Sequence, residues 1–176
     1  MSTVHELLQE GRKLLHVVAA PAVEAKVLLM QAAGLDEVAV FASPERAVRP
    51  RDERRYRRLI QRRLSGVPLA YIVGRKEFWS LPLRVEPGVF IPRPETELIV
   101  EKTLELAAGR RATIVDIGTG NGNVALALAR ELPQARVIAT DVSPRALRVA
   151  GVNARDLKLK NMTFVRGSLF SALDGL

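Results

Sequence analysis

Three glycines and an acidic residue stand close together where a predicted strand gives way to a predicted helix. The run Asp116–Gly122 reads Asp-Ile-Gly-Thr-Gly-Asn-Gly and follows a short apolar run. Glycines allow left-handed backbone angles and let a ligand approach without meeting a Cβ atom. The N-terminus of the following helix adds free N–H groups and partial positive charge. We therefore expect this loop to hold a ligand; a tight turn without a ligand is the alternative.

A second carboxylate, Asp141, narrows the choice of ligand. It ends the next predicted strand, 19 residues after Gly122, where it could accept two hydrogen bonds from a ribose diol. A dinucleotide loop of the form Gly-x-Gly-x-x-Gly would need a third glycine at position 123, where the chain has Asn123. The Gly-x-x-x-x-Gly-Lys-Ser/Thr pattern of a triphosphate loop is absent. S-adenosylmethionine has no phosphate and carries a cationic sulfonium, so two flanking carboxylates favour it.

The elements around this loop predict a parallel sheet. From residue 112, short apolar runs alternate with helical patterns, which is typical of parallel strands joined by right-handed crossovers. The fold class is therefore α/β, and this region is predicted to be the first part of a Rossmann-like class I methyltransferase sheet. The predicted order is strand Ala112–Asp116, helix Val124–Leu132, strand Arg136–Asp141, helix Pro144–Asn153 and strand Met162–Arg166.

The first seventy residues predict a small helical bundle. A capping box that begins at Thr3 predicts the first helix. Pro21 and Gly34 mark the two ends of the second helix. Ser43 is predicted to cap a third helix, and a fourth is predicted over Pro50–Leu64.

Short aromatic and β-branched runs then predict a β-hairpin that links two domains. The predicted strands are Tyr71–Gly74, Glu77–Leu81 and Leu83–Val85, and a helix is predicted from Glu95 to Ala108. The predicted domains are a helical domain at 1–70, the β-hairpin and linker at 71–94, and an S-adenosylmethionine-binding domain at 95–176.

Composition excludes several kinds of site. The 176 residues contain no cysteine, and the two histidines, His5 and His16, are scattered, so we expect no thiol chemistry, disulfide or metal site. Charge interrupts every apolar stretch before it reaches the length of a membrane span, and no basic start precedes an apolar run. We therefore expect no membrane contact, no secretory signal and a cytoplasmic location.

One segment concentrates the positive charge of a chain whose formal net charge is +8. Residues 49–63 contain eight arginines against only Asp52 and Glu53. Such a helix could contact RNA or ribosome phosphates. The alternative is a solvated helix face without a partner.

A second motif carries a family resemblance. The run Phe90–Glu97, Phe-Ile-Pro-Arg-Pro-Glu-Thr-Glu, placed before Ile114–Gly120, resembles the release-factor glutamine methyltransferases, often called the HemK or PrmC family. The resemblance covers nearly the whole chain, including Pro68–Gly74 and Asp141–Leu147. It implies an enzyme that transfers a methyl group from S-adenosylmethionine to the side-chain amide of the glutamine in the Gly-Gly-Gln motif of peptide chain release factors. It also implies that residues 1–70 form a substrate-recognition domain and that residues 95–176 form only part of the S-adenosylmethionine-binding domain.

The same resemblance implies roles for individual residues. Ser168 and Leu169 stand where acidic and aromatic residues are common beside the adenine, a departure that weakens or reshapes adenine binding. The residues implied to bind the cofactor are Asp116, Gly118, Thr119, Gly120, Asn121, Gly122, Asp141, Ser168 and Leu169. Those implied to close over the cofactor and the substrate entrance are Phe90, Pro92, Arg93, Pro94, Glu95 and Thr96.

The family's catalytic motif is not among these residues. The resemblance places an Asn-Pro-Pro-Tyr motif after a fourth strand, and the sequence reaches Leu176 without it. A primary amide is a poor nucleophile, so that asparagine would hold the amide and align its nitrogen. We expect no catalytic residue in the chain and no methyl transfer by the chain alone. The strand Ala112–Asp116 is then predicted to present an unpaired apolar edge that favours self-association.

Two other functions stay open on the sequence alone. The amino groups of adenine and cytosine pose the same chemical problem as an amide, so an RNA or DNA amino-group methyltransferase is one, and the arginine-rich segment favours it. The other is a non-catalytic module that binds a release factor through its helical domain.

Overall fold

The computed structural model describes residues 1–173 and divides the chain into two compact units, Met1–Val73 and a second unit that begins at Gly74. The first unit is helical and the second contains both sheets. The predicted fold class is confirmed. Within residues 1–173, no helix is both long and apolar enough to cross a membrane.

The first unit is a bundle whose helix ends follow local sequence signals. Thr3 caps the first helix through a capping box, in which its hydroxyl accepts from the backbone N–H of Glu6 at 3.1 Å. Pro21 opens the second helix, and Gly34 ends it with a left-handed φ of 65°. The helices are α1 Val4–Leu14, α2 Pro21–Ala33, α3 Glu37–Ala42, α4 Pro50–Leu64 and α5 Leu69–Val73.

The core of this unit is centred on Tyr56 of α4. Its ring is fully buried, and its hydroxyl donates to the backbone carbonyl of Leu7 at 3.1 Å. Burial raises the pKa of Tyr56, so the phenol stays protonated as a donor. A Cβ at Gly11 would lie 1.9 Å from the tyrosine hydroxyl, so α1 passes the ring at a point where only glycine fits.

Two sequence predictions in this unit are wrong. The predicted helix from Ser43 is absent, because residues 44–48 run along the start of α1 and bond to its backbone: the N–H of Val4 donates to Arg46 O, and that of His5 to Pro44 O. The helix there is α3, which Asp36 caps. The predicted strand Tyr71–Gly74 is also wrong, since residues 69–73 form the short helix α5 after Pro68.

The second unit begins with an antiparallel hairpin and continues as a three-stranded parallel sheet. In the described residues the sheet order is β3-β4-β5, so β3 pairs only with β4. Short 3₁₀ segments occur at Pro94–Thr96 and Leu169–Leu173. The elements are β1 Arg75–Phe78, β2 Leu81–Arg84, α6 Glu97–Ala107, β3 Thr113–Ile117, α7 Asn123–Glu131, β4 Arg136–Asp141, α8 Pro144–Asp156 and β5 Met162–Arg166.

The tip of the hairpin is anchored by Trp79. Trp79 and Ser80 form a two-residue turn in which both residues have positive φ, 51° and 56°, as a type I′ turn requires. The backbone N–H of Trp79 donates to the Glu97 carboxylate at 2.8 Å, and its indole N–H donates to Glu131 at 3.1 Å. These bonds hold the hairpin against the start of α6 and the end of α7.

Candidate cofactor site

The carboxyl ends of the three parallel strands meet at one edge of the sheet, where open α/β folds bind ligands. The loop of residues 118–122, which we call the glycine loop, follows β3 at this edge. The backbone N–H groups of Gly118 and Thr119 both donate to the carbonyl of Thr140, at 2.9 and 2.8 Å. The end of β4 therefore fixes the start of the glycine loop.

The glycines of this loop have different physical roles. Gly118, Gly120 and Gly122 all have positive φ, at 77°, 59° and 88°. A Cβ at Gly122 would lie 2.9 Å from a Leu126 methyl carbon and 3.1 Å from the Ala150 Cβ, so this position must be small for α7 and α8 to pack. A Cβ at Gly118 would meet no atom within 4 Å, so that position leaves open space beside the backbone.

Asp116 lies beneath the loop in a half-buried position. Its carboxylate accepts a hydrogen bond from the Thr119 hydroxyl at 2.7 Å. Burial raises the pKa of Asp116, and the negative charge of Asp141 adds to the rise; the Thr119 hydroxyl and the backbone N–H of Ala125 oppose it. A cationic ligand beside this carboxylate would relieve the cost of its charge.

Asp141 joins the end of β4 to the glycine loop. One carboxylate oxygen accepts from the backbone N–H of Gly120 at 2.9 Å, and the other accepts from that of Ser143 at 2.8 Å. Each carboxylate oxygen has two acceptor sites, so each retains one for a further donor. The geometry therefore leaves Asp141 able to accept two hydroxyl groups, as a ribose diol would provide.

Asn153 of α8 is a positioning residue that the sequence reasoning missed. It is 2% exposed, and its side-chain amide donates to the carbonyls of Asn121 at 3.0 Å and Arg84 at 3.2 Å. Its side-chain oxygen accepts from the Arg84 backbone N–H at 2.8 Å. One amide thus joins the glycine loop to the end of β2. The available signal was a polar residue between the apolar residues Val149 and Ala154 on the buried face of a helix.

Phe90 belongs to a segment that crosses α8 and reaches the glycine loop. Glu86 forms ion pairs with Arg145, at 2.7 Å, and with Arg148, and the Arg145 bond lowers the pKa of the Glu86 carboxyl. Val89 packs against apolar residues of α8. A Cβ at Gly120 would lie 4.0 Å from the Phe90 Cβ. Phe90, one of the residues implied to close over the cofactor, therefore lies beside the glycine loop.

Of the other residues implied to close over the cofactor, Arg93 lies next to Phe90, and Pro94–Thr96 line a depression at the start of α6. The Arg93 guanidinium lies 5.2 Å from the centre of the Phe90 ring, and Pro92 is buried. Beyond it, an open depression lies against the start of α6, and its lining contains no glycine-loop residue. That depression is lined by Arg93, Pro94, Glu95, Thr96 and Ile99.

Ser168 and Leu169 follow β5 at the same edge of the sheet. The backbone N–H of Gly167 donates to the Asp141 carbonyl at 3.2 Å, which ties this turn to the end of β4. Both side chains are exposed, and Leu169 has a positive φ of 49°. They remain predicted adenine-contacting positions. In residues 1–173, no group of three or more His, Cys, Asp or Glu side chains could hold a metal ion.

Comparison with known proteins matches both units. Residues 6–74 match the PrmC N-terminal domain, and residues 109–175 match a methyltransferase domain. The chain is 46% identical over 158 residues to the release factor glutamine methyltransferase of Moorella thermoacetica, covering 89% of this chain and 56% of that protein. It is 42% identical over 164 residues to the protein of the same name from Coxiella burnetii, covering 93% of this chain and 59% of that one.

The chain is also similar to solved structures. The ribosomal protein L11 methylase of Lactobacillus delbrueckii subsp. bulgaricus is 26% identical, with a TM-score of 0.43 over 52% of this chain and 47% of that chain. The curated relatives above are longer than this chain, which spans 56% and 59% of their length.

The parallel sheet and the methyltransferase match define the class of the second unit: it is a methyltransferase domain. The helical unit, which precedes it in the sequence, matches the PrmC N-terminal domain. Over most of its length the chain is similar to proteins named release factor glutamine methyltransferase. The resemblance seen in the sequence is confirmed.

Proposed function

We propose that this chain supplies the cofactor-binding part of an enzyme that methylates the side-chain amide of the Gly-Gly-Gln glutamine in peptide chain release factors. One observation carries the proposal. Asp116, the glycine loop and Asp141 occupy the carboxyl edge of a parallel sheet, in a chain that is 42–46% identical to relatives with that name. A cytoplasmic location is part of the same proposal.

The geometry supports a separate proposed role for each residue of the site. The open space at Gly118 and the N-terminus of α7 would receive the methionine part of the cofactor, whose carboxylate suits a helix N-terminus. Asp141 would hold the ribose hydroxyls, and Ser168 and Leu169 would border the adenine. Bound S-adenosylmethionine supplies an electrophilic methyl group on a cationic sulfonium, which the nearby Asp116 carboxylate would favour electrostatically.

The acceptor side of the reaction needs a separate account. The sequence contains no Asn-Pro-Pro-Tyr motif, which the resemblance implies would hold the amide. Phe90 and the residues up to Thr96 are proposed to border the substrate entrance, since Phe90 lies beside Gly120. Cofactor binding and methyl transfer are therefore tested in two separate experiments.

The first experiment measures cofactor binding by this chain. Isothermal titration with S-adenosylhomocysteine is expected to show binding that Asp141→Asn weakens by at least about tenfold, because the amide can accept at only one of the two oxygen positions. Glu101→Gln is the matched control, since Glu101 is an exposed acid on α6. Equal affinities for the two variants would contradict the role of Asp141, and no binding at millimolar ligand would refute the site.

The second experiment measures methyl transfer. S-adenosylmethionine labelled in its methyl group is incubated with a release factor, and with the same factor carrying Gly-Gly-Ala in place of Gly-Gly-Gln. The enzyme is tested as this chain and as a chain extended by the segment present in the longer relatives. We expect label on the intact factor from the extended chain alone. Label on the Gly-Gly-Ala factor, or on ribosomal RNA instead, would refute the substrate assignment.

An RNA or DNA amino-group methyltransferase is the second candidate. The observation that favours it is the exposed arginine surface of α4. The transfer experiment decides between the two when ribosomal RNA and DNA are added to it as competing acceptors. A third candidate is a non-catalytic module. It would bind a release factor in an isothermal titration, and the extended chain would transfer no methyl group.

A further inference from the structure

Five of the arginines of α4 lie on one face of the helix. With 100° between successive residues, their side chains fall within an arc of about 100°. This arc faces away from the buried side that Tyr56 and Ile60 contribute to the core. All five residues are exposed. We call this face the arginine stripe, and its members are Arg51, Arg54, Arg55, Arg58 and Arg62.

The other three arginines of this segment have acidic partners, which makes the stripe distinct. Arg49 pairs with Asp52 at 2.6 Å. Arg57 pairs with Glu10 at 2.8 Å, and Arg63 with Glu24 at 2.5 Å. Hydrogen bonds to these carboxylates raise the pKa of Arg57 and Arg63. The Arg57 and Arg63 pairs join α4 to α1 and α2, and the Arg49 pair lies at the start of α4.

The stripe itself carries almost uncompensated charge. Its only ion pair within residues 1–173 is a 3.4 Å contact from Arg51 to Asp52, a carboxylate that Arg49 already binds at shorter distance. No acidic partner is found in the described chain for Arg54, Arg55, Arg58 or Arg62. Four like charges on adjacent turns repel one another, so a bound polyanion would relieve that repulsion.

We propose that the arginine stripe binds the phosphate backbone of RNA. The stripe extends about 16 Å along the helix axis at 1.5 Å per residue. That length spans several successive phosphates of one nucleic-acid strand; in a DNA duplex, where the phosphates of one strand are about 3.4 Å apart along the axis, the number is about five. Guanidinium groups suit this ligand because they are permanently charged and bind phosphate oxygens through two parallel hydrogen bonds.

The composition of the stripe favours a polyphosphate over an acidic protein surface. Protein interfaces have an apolar core with aromatic or aliphatic anchors inside a polar rim. The positions within the arc of the stripe contain no apolar residue. We name RNA rather than DNA as the ligand on the basis of the proposed function, since release factors act in translation.

The test is a salt titration of RNA binding by the whole chain. Fluorescence anisotropy of a labelled RNA stem-loop is measured between about 50 and about 200 mM salt, without cofactor. The triple variant R54Q/R58Q/R62Q removes three stripe charges and keeps side chains with good helix propensity. The control R110Q/R111Q/K160Q removes the same net charge from exposed positions of the second unit. Circular dichroism verifies that both variants are folded.

We expect the triple variant to lose at least about tenfold in RNA affinity at low salt, and its plot of log affinity against log salt to be shallower by about 2 to 3. The control variant is expected to bind RNA like the unchanged chain. The charge-reversal variant R54E/R58E/R62E is expected to abolish binding. Titration of all variants with S-adenosylhomocysteine is expected to give unchanged affinity, so failure of the cofactor site would be seen separately.

Three outcomes would overturn the proposal. Unchanged RNA affinity in the triple variant would show that the stripe does not bind the backbone. Equal losses in the triple variant and its control would assign binding to net charge rather than to α4. Retained RNA affinity with a loss of release-factor affinity in the triple variant would identify the stripe as a protein-binding surface.

Discussion

Replacing Asn153 should weaken cofactor binding although this residue lies behind the glycine loop. Its amide bonds to the carbonyl of Asn121 in the loop and to both backbone groups of Arg84 at the end of β2. In Asn153→Ala all three bonds are lost. The loop then keeps its bonds to Thr140 and Asp141 and the 3.4 Å bond from the Asn121 side chain to the Arg84 carbonyl, but it loses its hydrogen bond to α8.

The size of the effect can be worked from these contacts. Each hydrogen bond contributes about 1 kcal/mol net, and a buried partner left unsatisfied costs about 1–3 kcal/mol more. Asn121 is 1% exposed, so its carbonyl has little access to water, whereas the Arg84 carbonyl keeps the 3.4 Å bond from the Asn121 side chain. The free energy of unfolding of the second unit should fall by about 2–4 kcal/mol. With a urea m-value of about 2 kcal/mol/M, the midpoint falls by about 1–2 M.

Asn161 provides a matched control. Its side-chain amide donates to three carbonyls, those of Ala129, Leu132 and Ala135, at 3.0–3.1 Å. Asn161→Ala therefore removes a comparable set of bonds at the turn between α7 and β4, with no bond to the glycine loop. Urea unfolding is followed by fluorescence of Trp79, the single tryptophan, which reports on the second unit alone.

Both variants should lose stability, but only Asn153→Ala should lose cofactor affinity. We expect Asn153→Ala to bind S-adenosylhomocysteine at least about tenfold more weakly, or about 1.4 kcal/mol, in buffer where it is fully folded. Asn161→Ala should bind like the unchanged chain. Asn153→Asp should resemble Asn153→Ala, because a carboxylate cannot donate to either carbonyl. Unchanged affinity in Asn153→Ala would refute the positioning role and leave Asn153 purely structural.

Four further predictions concern single positions and the sheet edge. Gly122→Ala should destabilise the second unit by about 1–3 kcal/mol more than Gly118→Ala in the same urea titration, because only its Cβ meets packed side chains; Gly118→Ala should instead lose cofactor affinity. The raised pKa of Asp116 favours the folded state below the unfolded pKa of about 3.9, and that contribution is lost as pH rises through the folded pKa. Asp116→Asn should therefore raise the urea midpoint at pH 7, and this gain should vanish at acid pH; a constant gain would contradict the assignment. Gly11→Ala should lower the midpoint of the first unit, followed by tyrosine fluorescence, because its Cβ overlaps the Tyr56 hydroxyl. Sedimentation should show self-association through the exposed edge of β3, and a monodisperse monomer would count against it.

Local signals in the sequence predict most of the elements of this fold. Helix α4 begins at Pro50 and ends at Leu64 as predicted, and the observed bounds of β4 and β5 also agree with the prediction. These elements have strong local determinants, such as a proline at the first helical position or a short apolar run between turns. The error at Ser43 arose where tertiary bonding decided the structure, whereas at Tyr71 the chain forms a local helical turn whose N–H groups donate to the Pro68 carbonyl. Residues 44–48 satisfy the free backbone groups of α1, and no local pattern of theirs shows that.

The candidate site also contains residues that the sequence could predict and residues that it could not. Its loop glycines and two carboxylates could be predicted, because ligand chemistry demands those residue types at strand ends. The residues that hold the loop could not, because their partners are far apart in the chain: Arg84 and Asn153 are 69 positions apart. An asparagine amide can serve this purpose since it donates and accepts at once, and so satisfies an N–H and two carbonyls that packing removes from water. A buried amide on an otherwise apolar helix face therefore identifies a connection between backbone segments, and its partners follow only from the structure.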